Sequence, residues 1–315
     1  MFHNVVVGVD DREIGRDELA LAGRLAARDA EFTLVYVNVV HGKPARDSAS
    51  ARDASVRLSA VGRLRTLRDQ VGIPARVSCV EARSPRHGLH RFASSHEADL
   101  IVIGATRRDE ISRLLIGDDT REVLEDPPCA VAVAPIGYAE RVGDFATIGV
   151  AYDGSAGSDE AVATGRKLAA GCHATLSVFE AVAPPVYACD VYDVEGQIEE
   201  EVAQARDQIA ALGGVEADAV AADHTVEALR RYEATVDLLI VGPHKYTPLD
   251  RLREQTTPQR LADSHPVRCS CSRTRLQALD HANCVMTAHS INGDARCTTF
   301  PVPRPSRGAP HDSPV

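Results

Sequence analysis

The chain has no tryptophan, two methionines and three lysines in 315 residues, and only 4% of it is aromatic. A core so poor in rings has to rest on Ala, Val, Leu and Ile. No apolar run approaches the ~20 residues of a membrane-spanning helix. The first residues pass straight into an apolar strand pattern without a signal-peptide pattern. A soluble cytoplasmic protein, with no membrane partner, is the expectation. Basic charge is also scarce, with 35 Lys and Arg against 45 Asp and Glu. The net charge of −10 argues against a nucleic-acid partner. Arg outnumbers Lys 32 to 3 along the whole chain, which reads as GC-rich coding rather than specific guanidinium chemistry.

Chemical signatures are missing as well. There is no GxxxxGK[ST] phosphate loop and no GxSxG nucleophile elbow. None of the eight cysteines forms a CxxC pair. Cys79, Cys129, Cys172 and Cys189 are scattered, as buried free thiols are. His87, His90 and His96 fall on one expected solvated helix, and no metal site is expected there. No catalytic residue is assigned.

What the chain does have is a repeat. Asn4-Val-Val-Val-Gly-Val-Asp10 returns as Thr147-Ile-Gly-Val-Ala-Tyr-Asp153, 143 positions later. Asp99-Leu-Ile-Val-Ile-Gly104 returns as Asp237-Leu-Leu-Ile-Val-Gly242. Each copy is long enough to bury its own core. In the first copy, strands are expected at 5–9, 32–40, 75–80, 100–103 and 130–134. Helices at 18–27, 55–70, 86–97 and 112–124 alternate with them, and 41–54 reads as a loop. In the second copy, strands are expected at 148–152, 175–179, 217–221 and 238–241. Helices are expected at 159–170, 197–212 and 226–234, with an irregular loop at 184–196. A last helix at 250–262 is interrupted by Pro258. Short apolar strands alternating with helices give an α/β fold of two tandem, doubly wound, Rossmann-like parallel sheets. The domains are expected at 1–138 and 146–267, joined by a linker at 136–145.

In such a sheet, ligands bind at the carboxyl ends of strands where the strand order reverses. The first strand ends in an acid in both copies, Asp10 and Asp153. The fourth ends in a glycine in both, Gly104 and Gly242. A carboxylate there can accept bonds from a ribose or a base, and a glycine lets phosphate approach the backbone. The plainer reading is a helix cap for each Asp and a turn for each Gly.

At this point the chain resembles a tandem universal stress protein. The resemblance rests on Val7-Gly-Val-Asp10, Val150-Ala-Tyr-Asp-Gly-Ser155, the run from Gly104 to Gly117, and Ala130-Val-Ala-Val-Ala-Pro135. It covers residues 1 to about 267. It implies an adenine-nucleotide fold, related to adenine nucleotide alpha hydrolases, with five strands per repeat and a role in the stress response. ATP or another adenine nucleotide is the implied cofactor, and pairing of domains or of subunits through the fifth strand is the implied assembly. A homodimer and an unidentified protein partner are therefore expected.

Nucleotide-binding members carry Gly, two residues, Gly, nine residues, Gly, then Ser or Thr. Gly104 and Gly117 fit this pattern in the first copy, while Arg107 and Asp118 replace the middle glycine and the hydroxyl. Gly242 and Thr256 fit in the second, with Lys245 and Gln255 in place of the other glycines. The second copy keeps Gly154-Ser155 after Asp153, where the first has Asp11-Arg12. A cation at Arg107 and Lys245 suggests a phosphate-facing base, against the reading of solvated loop charge. The candidate set is completed by Val37, in the second strand. A carboxylate at Asp118 would repel phosphate by ~1 kcal/mol in water and ~4 kcal/mol at an effective dielectric near 20. ATP binding is therefore expected to be weak or lost, and any remaining binding is expected to favour the first copy. A non-catalytic nucleotide-binding or sensing module is the first reading. A ligand-free interaction protein is the second. An adenylating or ATP-hydrolysing enzyme is the third, and it lacks its Ser-Gly-Gly-x-Asp-Ser turn.

The second copy has no counterpart to the apolar strand at 130–134. Arg268-Cys-Ser-Cys-Ser-Arg273 stands there instead. With GC-rich codons, a two-base shift turns that segment into Val-Leu-Val-Leu-Ala. The expectation is a frame shift near Pro266-Val267, an irregular or disordered tail at 268–315 and a second sheet without its last edge strand. A genuine disordered tail and a redox or metal-binding tail are the alternatives, although Cys269-x-Cys271 is poor zinc spacing. Resequencing the coding region across codons 264–270 checks this. A reproducible uninterrupted frame there would overturn it.

Overall fold

A computed structural model of the chain describes residues 1–10, 15–40, 51–105, 118–141, 143–183, 194–222, 224–242 and 285–288. The first copy contains β1 (Phe2–Gly8), α1 (Arg16–Leu25), β2 (Ala26–Val39), α2 (Ala51–Val71), β3 (Ala75–Ala82), α3 (Pro85–Ser95), β4 (Leu100–Gly104), α4 (Asp118–Val123) and β5 (Ala130–Ala134). The second contains β6 (Thr147–Ala151), α5 (Ala156–Cys172), β7 (Thr175–Val182), α6 (Val194–Ala211), β8 (Glu216–Ala221), α7 (Thr225–Glu233) and β9 (Leu238–Val241). A final short strand, β10, is Val285–Ala288.

The ten strands form one sheet in the order β3-β2-β1-β4-β5-β10-β9-β6-β7-β8. Within each copy all pairings are parallel. Parallel strands are covered on both faces, so their residues are apolar on both. β1 shows this directly. Val5 and Val7 enter one core cluster and Val6 another, all fully buried. The first cluster is shared by the two copies, running from Leu19 and Leu25 of α1 to Leu168 of α5 and Ile209 of α6. The opposite face carries Leu89 and Phe92 of α3, and Leu229 and Tyr232 of α7.

The expected elements are present with shifted bounds. α1 stops at Leu25, and Ala26 and Ala27 already belong to β2, where Ala26 pairs with Phe2. α2 begins within the segment expected to be a loop, and α6 begins at Val194. The part of α4 expected at 112–117 and the helix expected at 250–262 lie outside the described residues.

Two aspartates tie the central strands in register. Asp99, just before β4, accepts bonds from the His3 and Asn4 amides at 2.7 and 2.9 Å. Asp237, just before β9, does the same for Ala146 and Thr147, at 2.7 and 2.9 Å. This explains why the acid recurs at the head of Asp-Leu-Ile-Val-Ile-Gly and Asp-Leu-Leu-Ile-Val-Gly. Asp237 is also paired with Arg141 of the linker. The linker itself is a short turn at Tyr138–Glu140, whose Gly137 and Ala139 amides are held by Asp17. Tyr138 is buried, with the Arg24 guanidinium 4.9 Å over its ring and donating to its hydroxyl at 3.1 Å.

The structure corrects one expectation. The edge of β9 is not open. β10 lies in the slot between β5 and β9, parallel to β5 and antiparallel to β9. Met286 is fully buried there. Two strand edges facing one another present unpaired backbone donors and acceptors to any extended segment. Val-Met-Thr-Ala is apolar enough to be that segment. Its direction relative to β9 is the reverse of that of β5 relative to β4. The tail is therefore not wholly irregular.

Met286→Lys should lower stability by about 2–4 kcal/mol, because it places a charge in a sealed sheet. Urea unfolding checks this, and an unchanged midpoint would mean that another segment fills the slot. Burial opposes ionisation of Asp237, but the Thr147 and Ala146 amides and Arg141 outweigh it and hold its carboxyl below the usual range. Its contribution is present above the ordinary carboxylate pKa and is lost as pH falls through the depressed one. Asp237→Asn should cost about 1–3 kcal/mol at pH 7. The gap between wild type and variant should close as pH falls below that of an ordinary aspartate. Urea midpoints at pH 7 and pH 3 check the sign.

Candidate functional site

The reversal points lie between β1 and β4 and between β6 and β9. Beyond the last residue of β1, the Val9 amide still donates to the Val35 carbonyl, at 3.0 Å. Tyr152 does the same with Phe179 at 2.8 Å. Asp10 and Asp153 follow immediately and are exposed at the strand mouths. Val7 pairs with Val102, and Ala151 with Val241. Counting on, Gly104 faces Val9 and Gly242 faces Tyr152. The register thus places each candidate Asp diagonally beyond its candidate Gly, in the same way in both copies.

The second mouth is built by a capped turn. The Asp153 carboxylate accepts from the Ser155 amide at 3.0 Å, and Gly154 turns the chain with φ +70°. The Ser155 hydroxyl then caps α5 by accepting from the Ser158 amide at 3.2 Å. The first turn of α5 packs on Gly242 so closely that a Cβ there would overlap the Gly157 carbonyl and lie 2.9 Å from the Ser158 nitrogen. Gly242 is thus required by helix packing, and the positive end of α5 adjoins it. The mouth is not purely cationic. Asp159 accepts from the Tyr152 hydroxyl at 3.1 Å. Burial, followed by the charge of Asp153, pushes the Glu180 carboxyl up. Among the described residues, one Glu180 oxygen (Oε2) has no hydrogen-bond partner.

The first mouth is built differently. Gly15 adopts a left-handed conformation, φ +61°, and α1 starts only at Arg16. The Glu18 side chain sits against Gly104, where a Cβ would overlap Glu18 Oε1. The Thr120 hydroxyl donates to the Gly104 carbonyl at 3.0 Å, tying α4 to the end of β4. Val37 directs its side chain at α3, where a Cβ on Gly88 would lie 2.6 Å from Val37 Cγ1. Its side chain is therefore half-buried against α3. Asp118 is the first residue of α4. Arg107, Gly117, Lys245 and Thr256 lie outside the described residues.

The match to known families decides the class. The universal stress protein family model matches residues 1–135 and again 144–268. The chain belongs to the universal stress protein family. A universal stress protein of Methanocaldococcus jannaschii is 24% identical over 140 residues, covering 42% of this chain and 82% of the relative. The solved universal stress protein of Archaeoglobus fulgidus DSM 4304 is 14% identical, with a TM-score of 0.62 over 90% of this chain and 97% of its own. A shorter A. fulgidus universal stress protein, solved in complex with dAMP, is 20% identical over 42% of this chain and 97% of its own, with a TM-score of 0.29. The tandem, Rossmann-like fold is therefore that of universal stress proteins.

In this universal stress protein, the sequence reading missed Glu18. Its position was legible. Glu18, Ala22 and Leu25 share the buried stripe of α1, and the 143-residue offset puts Ala161 at the same place in α5. An acid on an apolar stripe, answered by alanine in the sister copy, was the signal. The remaining titratable groups lie elsewhere. His90 is tied to the Val123 carbonyl at 2.8 Å, and His96 stacks on Phe92. Cys79, Cys129 and Cys172 are free thiols, and burial pushes all three up. Cys189 lies outside the described residues. Among the described residues no group of His, Cys, Asp and Glu could hold a metal ion. None of their helices is long and apolar enough to cross a membrane. A cavity of about 770 Å³ between β7, β8 and α7 is floored by Phe179 and Tyr232 and includes neither strand mouth.

Proposed function

We propose that this universal stress protein is a non-catalytic module that binds or senses an adenine nucleotide, with the better-preserved site in its second copy. The observation that carries the reading is the turn at Asp153-Gly154-Ser155. It sets a carboxylate at the strand mouth and a capped helix N-terminus beside Gly242. The carboxylate suits ribose or base donors. The helix end suits phosphate. The acids around it, Asp159 and Glu180, favour a weak site over a tight one. The reading assigns no bond-breaking step and no catalytic residue.

Domain bounds of 1–138 and 146–267 are part of the proposal, with 268–315 as a separate tail. The end of the second family match at 268 supports them. So is a cytoplasmic location.

The second reading is a ligand-free interaction protein acting through paired domains. The continuous sheet and the Arg24–Tyr138 and Arg141–Asp237 ties across the linker favour it. A homodimer and a further protein partner belong to that reading.

Mass spectrometry of small molecules released from the purified protein, with ATP titration by calorimetry, separates the two. The expected result is a detectable adenine nucleotide, with ATP affinity reduced at least about tenfold, or 1.4 kcal/mol, by Asp153→Asn. No released nucleotide and no heat of binding would leave the interaction reading standing.

A further inference from the structure

Among the described residues, the large apolar side chains left exposed are Val56, Leu58 and Val71, and all three lie on α2. Leu58 is 75% exposed. The helix is anchored to the sheet by Ala60, Leu64 and Leu67, which are buried. Leu58 and Arg65, seven residues apart, share the opposite, outward face. From Ser55 to Val71 the helix carries Arg57, Arg63, Arg65 and Arg68 against Asp69, a net of +3, in a chain whose net charge is −10.

α6 is the equivalent helix of the second copy. α2 joins β2 to β3, and α6 joins β7 to β8. Its charge is reversed. From Gly196 to Ala211 it carries Glu199, Glu200, Glu201 and Asp207 against Arg206, a net of −3. Its inward residues are Ala205 and Ile209, both buried. Glu200, Ala203 and Asp207 stand on the outward face and are exposed. A bulky side chain on α2 is thus answered by a small one on α6, and arginines are answered by acids.

The two helices do not meet within one chain. β3 and β8 are the outer strands of the sheet, so α2 and α6 lie at its two ends. Leu64 and Leu67 of α2 and Ile209 of α6 enter the same core cluster, which places both helices on one face. The strands of the two copies run in opposite directions, because β10 is parallel to β5 and antiparallel to β9. A second chain turned over about an axis along the strands sets its α6 against this α2 and its α2 against this α6. One two-fold axis then closes two identical contacts between antiparallel helices. An axis across the strands would set like charge on like.

We propose that this helical face docks a second copy of the chain, with α2 of each protomer on α6 of the other in a closed two-fold dimer. The contact needs no nucleotide, so it goes beyond the nucleotide reading and can fail or stand without it. It gives the homodimer of the interaction reading a surface away from the fifth strand.

Sedimentation velocity on the full-length protein without nucleotide, at low and high salt, tests this. The expected result is a dimer at low salt whose dissociation constant rises at least about tenfold in high salt. Arg57→Glu with Arg65→Glu is expected to leave a monomer, and so is Glu200→Arg with Asp207→Arg, because like charges then face one another. Mixing these two variants is expected to restore a dimer, with one chain of each, since every facing pair is again opposite in sign. All four changes in one chain are expected to restore a homodimer for the same reason. Thermal melting establishes that each variant is folded. A monomeric wild type at low salt, or a dimer that either reversal leaves intact, would overturn the proposal. Sensitivity to the α6 change alone would mean that another positively charged segment or partner covers α6, and would overturn it too. So would failure of the mixture to recover the dimer.

Discussion

The strand mouths depend on the register between the first and fourth strands of each copy, and a carboxylate sets that register. Asp99 and Asp237 each grip two consecutive amides at the entrance of the neighbouring strand. Hydrogen bonds to a charged group contribute more than neutral ones, about 1.5–3 kcal/mol each. A slip of one residue would also exchange the faces on which Val5, Val6 and Val7 pack. With the register held, Asp10 and Asp153 emerge beside Gly104 and Gly242. The carboxylates that set the register are thus at the opposite end of the strands from the mouths. In the second copy the device also reaches Arg141, so the same acid that aligns β6 with β9 anchors the linker.

The copies then diverge through the start of one helix. Ser155 supplies a cap and α5 gains a full first turn on Gly242. In the first copy α1 starts at Arg16, after the left-handed Gly15, and the buried Glu18 side chain sits against Gly104. The two sheets are meanwhile joined into one through β10, which satisfies facing edges that neither copy closes by itself.

Much of the fold was legible in the residues. Val5–Val7 and Ala130–Ala134 are too apolar to be anything but strands buried on both faces. The 143-residue repeat identifies equivalent positions without any structure. Other features were hidden for physical reasons. Ala26 and Ala27 favour a helix locally, yet pairing with Phe2 draws Ala26 into β2. The packing of Val37 against α3 is a contact between distant segments that local pattern does not show.

The sequence by itself determined the class of fold, the tandem repeat and the acid and glycine at each strand end. These follow from local apolar patterning and from comparing the chain with itself. Only the tertiary structure decided what stands beside each glycine and what fills the slot between β5 and β9. Both are long-range outcomes. A side chain's neighbour across a helix–sheet interface, and the partner of an open strand edge, depend on packing between segments far apart in the chain, and no local propensity encodes that.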